Sequence, residues 1–198
     1  MLGVAALVYT SVHLLAYAAD QTFDLATIAS ELAFRLYLAV GTIAFLIMVP
    51  LGITSTDAMV KRLGGPKWKR LHQLAYFVGF LSVFHFFLLL LKLITPEATI
   101  WAGLFVWMMA HRAVNARRRK PNQWWGLGLV VAAGLATMLL EAGFFLIFSN
   151  LNPMQVLSAN WTFQAGLRPG WIVAMLVLAI WLLGLARKDY KAMPRAAT

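Results

Sequence analysis

Long apolar stretches alternate with short polar ones along the whole chain. A helix that crosses a membrane needs about 20 predominantly apolar residues, and six stretches approach or exceed that length. The pattern therefore predicts an all-α protein, a polytopic membrane bundle of six transmembrane helices. The six predicted spans are Met1–Ala19, Arg35–Thr54, Leu71–Ile94, Ile100–Val114, Trp124–Phe148 and Gly170–Ala186.

The basic residues are concentrated on one side of these predicted spans. Fourteen of the 17 Lys and Arg residues lie between spans two and three, between spans four and five, or after span six. The other three, Arg35, Lys92 and Arg168, fall on the opposite side. Because cytoplasmic loops are enriched in Lys and Arg, this asymmetry predicts that both termini are cytoplasmic. The fourteen are Lys61, Arg62, Lys67, Lys69, Arg70, Arg112, Arg117, Arg118, Arg119, Lys120, Arg187, Lys188, Lys191 and Arg195.

Composition narrows the class of protein further. Apolar residues make up 62% of the chain and charged residues only 12%, against about 25% charged in an ordinary soluble domain. A soluble enzyme with a single core is therefore excluded. The net charge of +10 indicates membrane topology and contact with anionic lipid headgroups, and not binding to nucleic acid. The chain has no cysteine, which excludes disulfides, thiolate zinc sites, iron–sulfur clusters and covalently attached haem.

Four histidines lie within or at the edges of the apolar stretches. They are candidate functional residues because an ionisable side chain in hydrocarbon is costly. At 1.5 Å per residue, His13 lies about 10 Å and His85 about 15 Å from the outer ends of their spans. His72 and His111 lie near the cytoplasmic ends of spans three and four. The histidines therefore form two levels, with one pair in each leaflet.

The spacing of the histidines favours haem b. His72 and His85 are separated by about 20 Å along one helix, so they cannot ligate the same metal ion. A planar macrocycle between helices, held by two neutral imidazoles, fits this distribution and needs no cysteine. Simpler roles stay open: His72 and His111 are also suited to the headgroup region, and polar neighbours could satisfy His13.

Three other polar residues are candidates. Arg35 and Arg168, on the outer side, are suited either to pair with haem propionates or to anchor their spans at the interface. Glu141 lies inside the fifth span, about 13 Å from its outer end. It could serve a propionate, a proton path or a quinol, or bond a neighbouring helix.

The polar segment between spans two and three has the signals of a short helix. Ser55-Thr56-Asp57 can cap its start, and Gly64-Gly65-Pro66 is predicted to end it. No phosphate-binding glycine loop or dinucleotide fingerprint occurs in the chain. The sequence therefore shows no sign of an NADPH- or FAD-binding domain.

A series of motifs in chain order carries a family resemblance. They are Arg35-Leu36-Tyr37 with Gly41, Thr54-Ser55-Thr56-Asp57-Ala58-Met59, Leu63-Gly64, Trp68-Lys69-Arg70-Leu71-His72, Tyr76, His85 and Ile100-Trp101-Ala102-Gly103-Leu104. Over about Met1 to Val114 the chain resembles the ferric reductase-like transmembrane domain, and more narrowly the haem-binding membrane subunits of the periplasmic methionine sulfoxide reductase system (MsrQ/YedZ type). The resemblance divides the chain into a haem-binding four-helix core, residues 1–114, and an appended two-helix hairpin with a basic tail, residues 115–198.

The resemblance implies a function. It implies b-type haem between helices of the bacterial inner membrane, with His13, His72 and His85 matching the ligand histidines of the family, and bound FMN is associated with that family. Electrons would come from quinol or a cytoplasmic flavin reductase and leave to a periplasmic molybdenum oxidoreductase. We expect an electron-transfer cytochrome b subunit with one haem at the outer level, held by His13 and His85. A second, inner haem would need a partner for His72, and His111 is the only histidine left.

Two other functions fit the sequence less closely. One is a stand-alone transmembrane metal reductase that hands electrons to ferric iron outside the membrane. The other is a haem-free structural or assembly subunit, in which the histidines only bond neighbouring helices.

Overall fold

The described part of the chain is helical. The computed structural model describes residues 2–90, 97–117, 124–149, 151–163 and 166–192. Ten helices lie within these ranges, in agreement with the predicted all-α class. In chain order, α1 to α10 are Leu2–Asp20, Leu25–Phe34, Leu36–Ile53, Asp57–Leu63, Gly65–His72, Leu74–Leu90, Glu97–Arg117, Trp124–Ser149, Pro153–Thr162 and Pro169–Ala192.

Five helical segments of the described chain are long and apolar enough to cross a membrane. The fourth predicted span, Ile100–Val114, lies within α7, which is not one of the five because Glu97, His111 and Arg112 make that helix less apolar. The count of six spans and the cytoplasmic location of both termini stay predictions. The five segments are Gly3–Asp20, Leu36–Ile53, Gly65–Leu89, Trp124–Ser149 and Pro169–Ala186.

The short helix between the second and third spans is formed as predicted. Thr56 caps α4 by accepting a hydrogen bond from the backbone N–H of Met59, and α4 ends at Gly64, whose φ is +78°. Pro66 was expected to help end this helix, but it lies in the first turn of α5. Its missing N–H costs nothing there, because the first N–H groups of a helix have no partner within the helix.

Two segments between the predicted spans contain helices that were not predicted. Helix α2 begins after Asp24, whose carboxylate accepts hydrogen bonds from the backbone N–H groups of Ala26 and Thr27. Hydrogen bonds from Thr27 and Ala26 also hold the pKa of Asp24 below its usual value. Helix α9 begins after Asn152, whose side chain accepts from the backbone N–H of Met154.

Some predicted features lie outside the described residues. They are Met1, the end of the third predicted span at residues 91–94, and the basic residues Lys92, Arg118, Arg119, Lys120 and Arg195.

The chain forms two compact units, and the first comprises Met1–Lys92. Helix α3 is its centre, since α1, α2 and α6 all pack against it. Val40 and Ala44 of α3 form a buried cluster with Leu81 of α6. The room that Gly52 leaves on α3 is filled by the side chain of Leu7 from α1.

The second unit comprises Leu93–Thr198, and its centre is α8. Helices α7, α9 and α10 pack against α8. Small residues allow close helix contacts, as expected between membrane helices: Gly103 of α7 leaves the room that the Thr137 side chain occupies. By packing, α7 belongs with this unit, whereas the predicted division at residue 114 rests on the resemblance and stays a prediction. The buried cluster comprises Val130, Ala133, Val173 and Val177.

Candidate haem-binding site

The imidazole of His85 is fixed by the backbone of α3. Its Nδ1 lies 2.6 Å from the carbonyl oxygen of Tyr37. A carbonyl oxygen only accepts hydrogen bonds, so Nδ1 carries a hydrogen and donates it. In a neutral imidazole the other nitrogen, Nε2, then has a free lone pair. This is the usual arrangement of a histidine that ligates a metal through Nε2.

Gly41 provides the space for this ring. A Cβ atom at position 41 would lie 2.8 Å from Nδ1 and 2.9 Å from Cε1 of His85, which is closer than real Cβ contacts. Tyr37 and Gly41 are one helical turn apart on α3, so they face the same side of that helix. Together they form a cradle that orients the His85 imidazole.

His13 lies on α1, and its side chain is exposed. Three neighbouring hydroxyls are engaged elsewhere: Ser11 and Thr10 donate to backbone carbonyls one turn earlier in α1, and Tyr17 donates to Glu31. None of the described hydrogen bonds of these three neighbours involves His13. Helix α1 packs against α3, as α6 does, so His13 and His85 lie on two helices with the same central neighbour.

His72 lies in a different environment, at the end of α5. Its Nε2 is 3.0 Å from Oγ1 of Thr54, and that hydroxyl is 2.6 Å from the carbonyl oxygen of Pro50. Because the hydroxyl has one hydrogen and donates it to Pro50, His72 donates through Nε2–H. The His72 ring also stacks on the indole of Trp68, with centroids 4.0 Å apart. These contacts give His72 a structural role at the end of α3, while its role as a haem ligand stays a prediction.

His111 belongs to α7 in the second unit, and its side chain is exposed. Its described contacts are local, with the amide of Asn115 at 3.2 Å and the ring of Trp107 at a centroid distance of 5.7 Å. Both neighbours are one turn away on the same helix. These contacts are compatible with an interfacial residue, and the ligand role of His111 stays a prediction.

Arg35 lies between α2 and α3 and joins a chain of four polar side chains. Its Nη2 is 2.6 Å from Oε1 of Glu31, and its Nη1 is 3.5 Å from the hydroxyl of Tyr37. The other oxygen of Glu31 accepts a hydrogen bond of 2.7 Å from the hydroxyl of Tyr17. A guanidinium is always cationic in a protein, so Arg35 forms an ion pair with the Glu31 carboxylate. These four side chains connect α1, α2 and the start of α3, and Tyr37 belongs both to them and to the His85 cradle.

A separate buried cluster surrounds Glu141 in the second unit. Glu141 is 1% exposed, and its Oε1 lies 3.0 Å from Nη2 of Arg168. The amide of Asn160 on α9 donates to its Oε2 at 3.4 Å. Trp171 of α10 donates to the carbonyl of Asn160 at 2.7 Å. Among the roles considered for Glu141, the bond to a neighbouring helix is therefore formed, and Arg168 is its ion-pair partner.

Several residues of the site were not predicted as such. Arg35 and His85 were predicted as site residues, whereas Glu31 was not. Tyr37 and Gly41 were noted only as residues of the family resemblance. The signals that could have found them were the four-residue spacing of Glu31 and Arg35, typical of a helical ion pair, and the four-residue spacing of Tyr37 and Gly41. Within the described residues, no group of three His, Asp or Glu side chains is placed to hold a metal ion alone.

Comparisons with known proteins agree with the resemblance seen in the sequence. The family described as "Ferric reductase like transmembrane component" matches residues 1–83. A protein-methionine-sulfoxide reductase heme-binding subunit MsrQ from Rhodospirillum rubrum is 42% identical over 123 residues, which are 62% of this chain and 59% of that protein. The MsrQ of Azospira oryzae is 36% identical over 125 residues, or 63% and 53% of the two chains.

Another relative carries a different name. The magnetosome protein MamZ of Magnetospirillum gryphiswaldense is 38% identical over 89 residues, which are 44% of this chain and 14% of that protein. No solved structure matches the chain. The chain covers 59% and 53% of the lengths of the two MsrQ relatives given above. Within these limits, the chain is similar to the ferric reductase-like transmembrane components and, more narrowly, to the haem-binding subunits of the MsrQ type.

Proposed function

We propose that this chain is a b-type haem subunit that carries electrons across the bacterial inner membrane. The observation that carries the proposal is the His85–Tyr37 hydrogen bond, which commits Nδ1 to a carbonyl and leaves Nε2 free to ligate iron. His85 and His13 would hold the iron of the outer haem through their imidazole nitrogens. When bound, haem supplies a one-electron iron couple, while the protein sets the ligands and their surroundings.

The residues around His85 have distinct tasks in this proposal. Tyr37 keeps the hydrogen on Nδ1 and makes the imidazole more basic through its carbonyl. Gly41 leaves the space in which the ring is oriented. Arg35 has a side chain that is 49% exposed, so part of its guanidinium is accessible for a haem propionate on the outer side.

The proposed partners follow from the relatives. The names of the MsrQ relatives connect them to methionine sulfoxide reduction, which supports a periplasmic oxidoreductase of that kind, with molybdenum, as the electron acceptor. Quinol or a cytoplasmic flavin reductase is the proposed donor. A second haem at His72, with His111 as the remaining histidine, and a bound FMN belong to the same proposal.

The proposed topology has six spans and both termini in the cytoplasm. It is supported by the charge asymmetry of the sequence and by the exposed basic side chains of α4 and α5, Lys61, Arg62, Lys67, Lys69 and Arg70. Cations at the cytoplasmic surface would contact the anionic headgroups of the inner leaflet.

The first test is a reduced-minus-oxidised optical spectrum of the detergent-purified protein, with haem measured per chain. We expect a b-type signal that is lost in His85→Ala and lost or altered in His13→Ala. A second haem would raise the stoichiometry to two, and His72→Ala would then remove one of them. His111→Ala should keep the outer haem, because His111 would contribute only to the second one. A protein that stays colourless after reconstitution with haem contradicts the proposal and favours the structural subunit.

A stand-alone metal reductase is the second candidate, supported by the match of residues 1–83 to the ferric reductase-like component. The reduced protein in liposomes, without any partner, separates the two candidates. Rapid electron transfer to external ferric chelates favours the metal reductase. Transfer that requires an added methionine sulfoxide reductase favours the electron-transfer subunit.

A further inference from the structure

We infer that Glu31 is a positioning residue for the outer haem ligands, because one carboxylate connects the helix of His13 to the helix that holds His85. The inference rests on the proposed function. Glu31, with Tyr17 as its partner, would align the imidazoles of His13 and His85. The described hydrogen bonds of Glu31 and Tyr17 do not involve either imidazole.

The connection to the His13 helix passes through Tyr17. Tyr17 follows His13 by four residues on α1, which places the two side chains about 40° apart around the helix and about 6 Å apart along it. They therefore leave α1 from nearly the same face. Because the Tyr17 hydroxyl donates to Oε2 of Glu31 at 2.7 Å, that bond restricts the rotation of α1 about its axis. The direction in which His13 leaves the helix is restricted with it.

The connection to the His85 cradle passes through Arg35. Arg35 is the extended residue that separates α2 from α3. Its Nη2 lies 2.6 Å from Oε1 of Glu31. The same guanidinium reaches the hydroxyl of Tyr37 at 3.5 Å, and the carbonyl of Tyr37 accepts the hydrogen of His85 at 2.6 Å. The carboxylate thus fixes the start of the helix that orients His85.

Of the ion pair Glu31–Arg35, Glu31 is the more buried residue and therefore the one that positions the ligands. Its side chain is 17% exposed, against 49% for Arg35, so solvent competes less for its two hydrogen bonds than it would at an open surface. The ion pair also leaves little net charge where α1, α2 and the start of α3 meet. Loss of the carboxylate would add one net positive charge near the outer haem, and a positive charge favours the reduced state of the iron.

The test uses the full chain with haem bound and two readouts, the g values of the oxidised haem by electron paramagnetic resonance and the midpoint potential. The g values of a low-spin haem depend on the relative orientation of its two axial imidazoles. Glu31→Gln is expected to shift the g values and to move the midpoint potential to more positive values. Tyr17→Phe removes one hydroxyl and no charge, so it is expected to shift the g values with little change in potential.

Asp24→Asn is the matched control, since it removes one outer carboxylate outside the chain of four side chains. Asparagine caps a helix as well as aspartate does, and the described hydrogen bonds of the Asp24 side chain are all to Ala26 and Thr27 at the start of its own helix. Both readouts should stay at the wild-type values. A shift in potential equal to that of Glu31→Gln would show a general charge effect and contradict the inference.

The outcomes separate this inference from the proposed function. A wild-type protein without haem overturns the proposed function. A wild-type protein with haem, whose g values are unchanged in both Glu31→Gln and Tyr17→Phe, overturns only the positioning role. If Glu31→Gln loses haem but keeps its helical circular dichroism and elution volume, ligand alignment is required for haem binding and the inference stands. If it does not fold, the g values of Tyr17→Phe decide.

Discussion

At the scale of single residues, His85 shows how a backbone group can prepare a side chain for metal binding. The hydrogen on Nδ1 is held by a main-chain carbonyl of a packed helix, so no substitution at Tyr37 can remove the acceptor. What a substitution can change is the distance between the ring and α3. Gly41 controls that distance, because its missing side chain is where the ring lies.

Gly41→Ala is therefore predicted to weaken haem binding. The new Cβ would have to displace an imidazole that lies 2.8 Å away, and overpacking of this kind costs about 1–3 kcal/mol. The ring would move away from the Tyr37 carbonyl, and its Nε2 would move with it. Haem content per chain and the reduced-minus-oxidised spectrum measure the effect.

The control for this prediction is Gly128→Ala. Gly128 lies within α8, and a Cβ there would have no neighbour within 4 Å. In a helix interior, alanine is favoured over glycine by about 1 kcal/mol, so the control should keep its haem and its thermal stability. Equal haem content in Gly41→Ala and Gly128→Ala would show that the close contact at Gly41 does not matter for the cofactor.

At the scale of helices and their contacts, the local signals in the sequence predicted more than the long-range ones. The Thr56 cap and the Gly64 end of α4 depend on a few adjacent residues, and both are confirmed. Helix α2 was not predicted because it has only 10 residues, which is too short for a membrane span. The acceptor for His85 is a backbone carbonyl 48 residues away, and no side-chain pattern encodes such a partner.

The ion pair of Glu141 and Arg168 is a second contact of this long-range kind. Each residue was a candidate from its position in the sequence, but nothing there paired the two, since they are 27 residues apart. A carboxylate that is 1% exposed needs a partner because an unpaired buried charge is costly. The pair, together with Asn160, therefore joins α8 and α9 to the start of α10.

Arg168→Met is predicted to destabilise the second unit by about 3–5 kcal/mol, since it leaves a buried carboxylate without its cation. Thermal unfolding in detergent, followed by circular dichroism, measures the change. The double variant Glu141→Gln/Arg168→Met should be more stable than Arg168→Met, because its buried amide carries no charge. Equal unfolding temperatures for the single and the double variant would contradict a buried ion pair.

At the scale of the whole molecule, the membrane topology depends on α7. If α7 crosses the membrane, the chain has six spans and α9 lies on the outer side, with α2. If α7 does not cross, every later helix is inverted and α9 faces the cytoplasm. Its apolar centre, the predicted span Ile100–Val114, favours crossing, whereas Glu97 and Arg112 near its ends lower its hydropathy. The charge asymmetry favours crossing, because it places the basic group after α7 in the cytoplasm.

A single substitution distinguishes these two topologies. The chain has no cysteine, so one introduced thiol can be labelled without background. Met154 is 69% exposed on α9, and Met154→Cys in intact cells should react with a maleimide that cannot cross the inner membrane. Lys67→Cys, exposed on α5, should react only after the cells are opened. Protection of both thiols in intact cells would mean that α7 stays on one side and that the six-span topology is wrong.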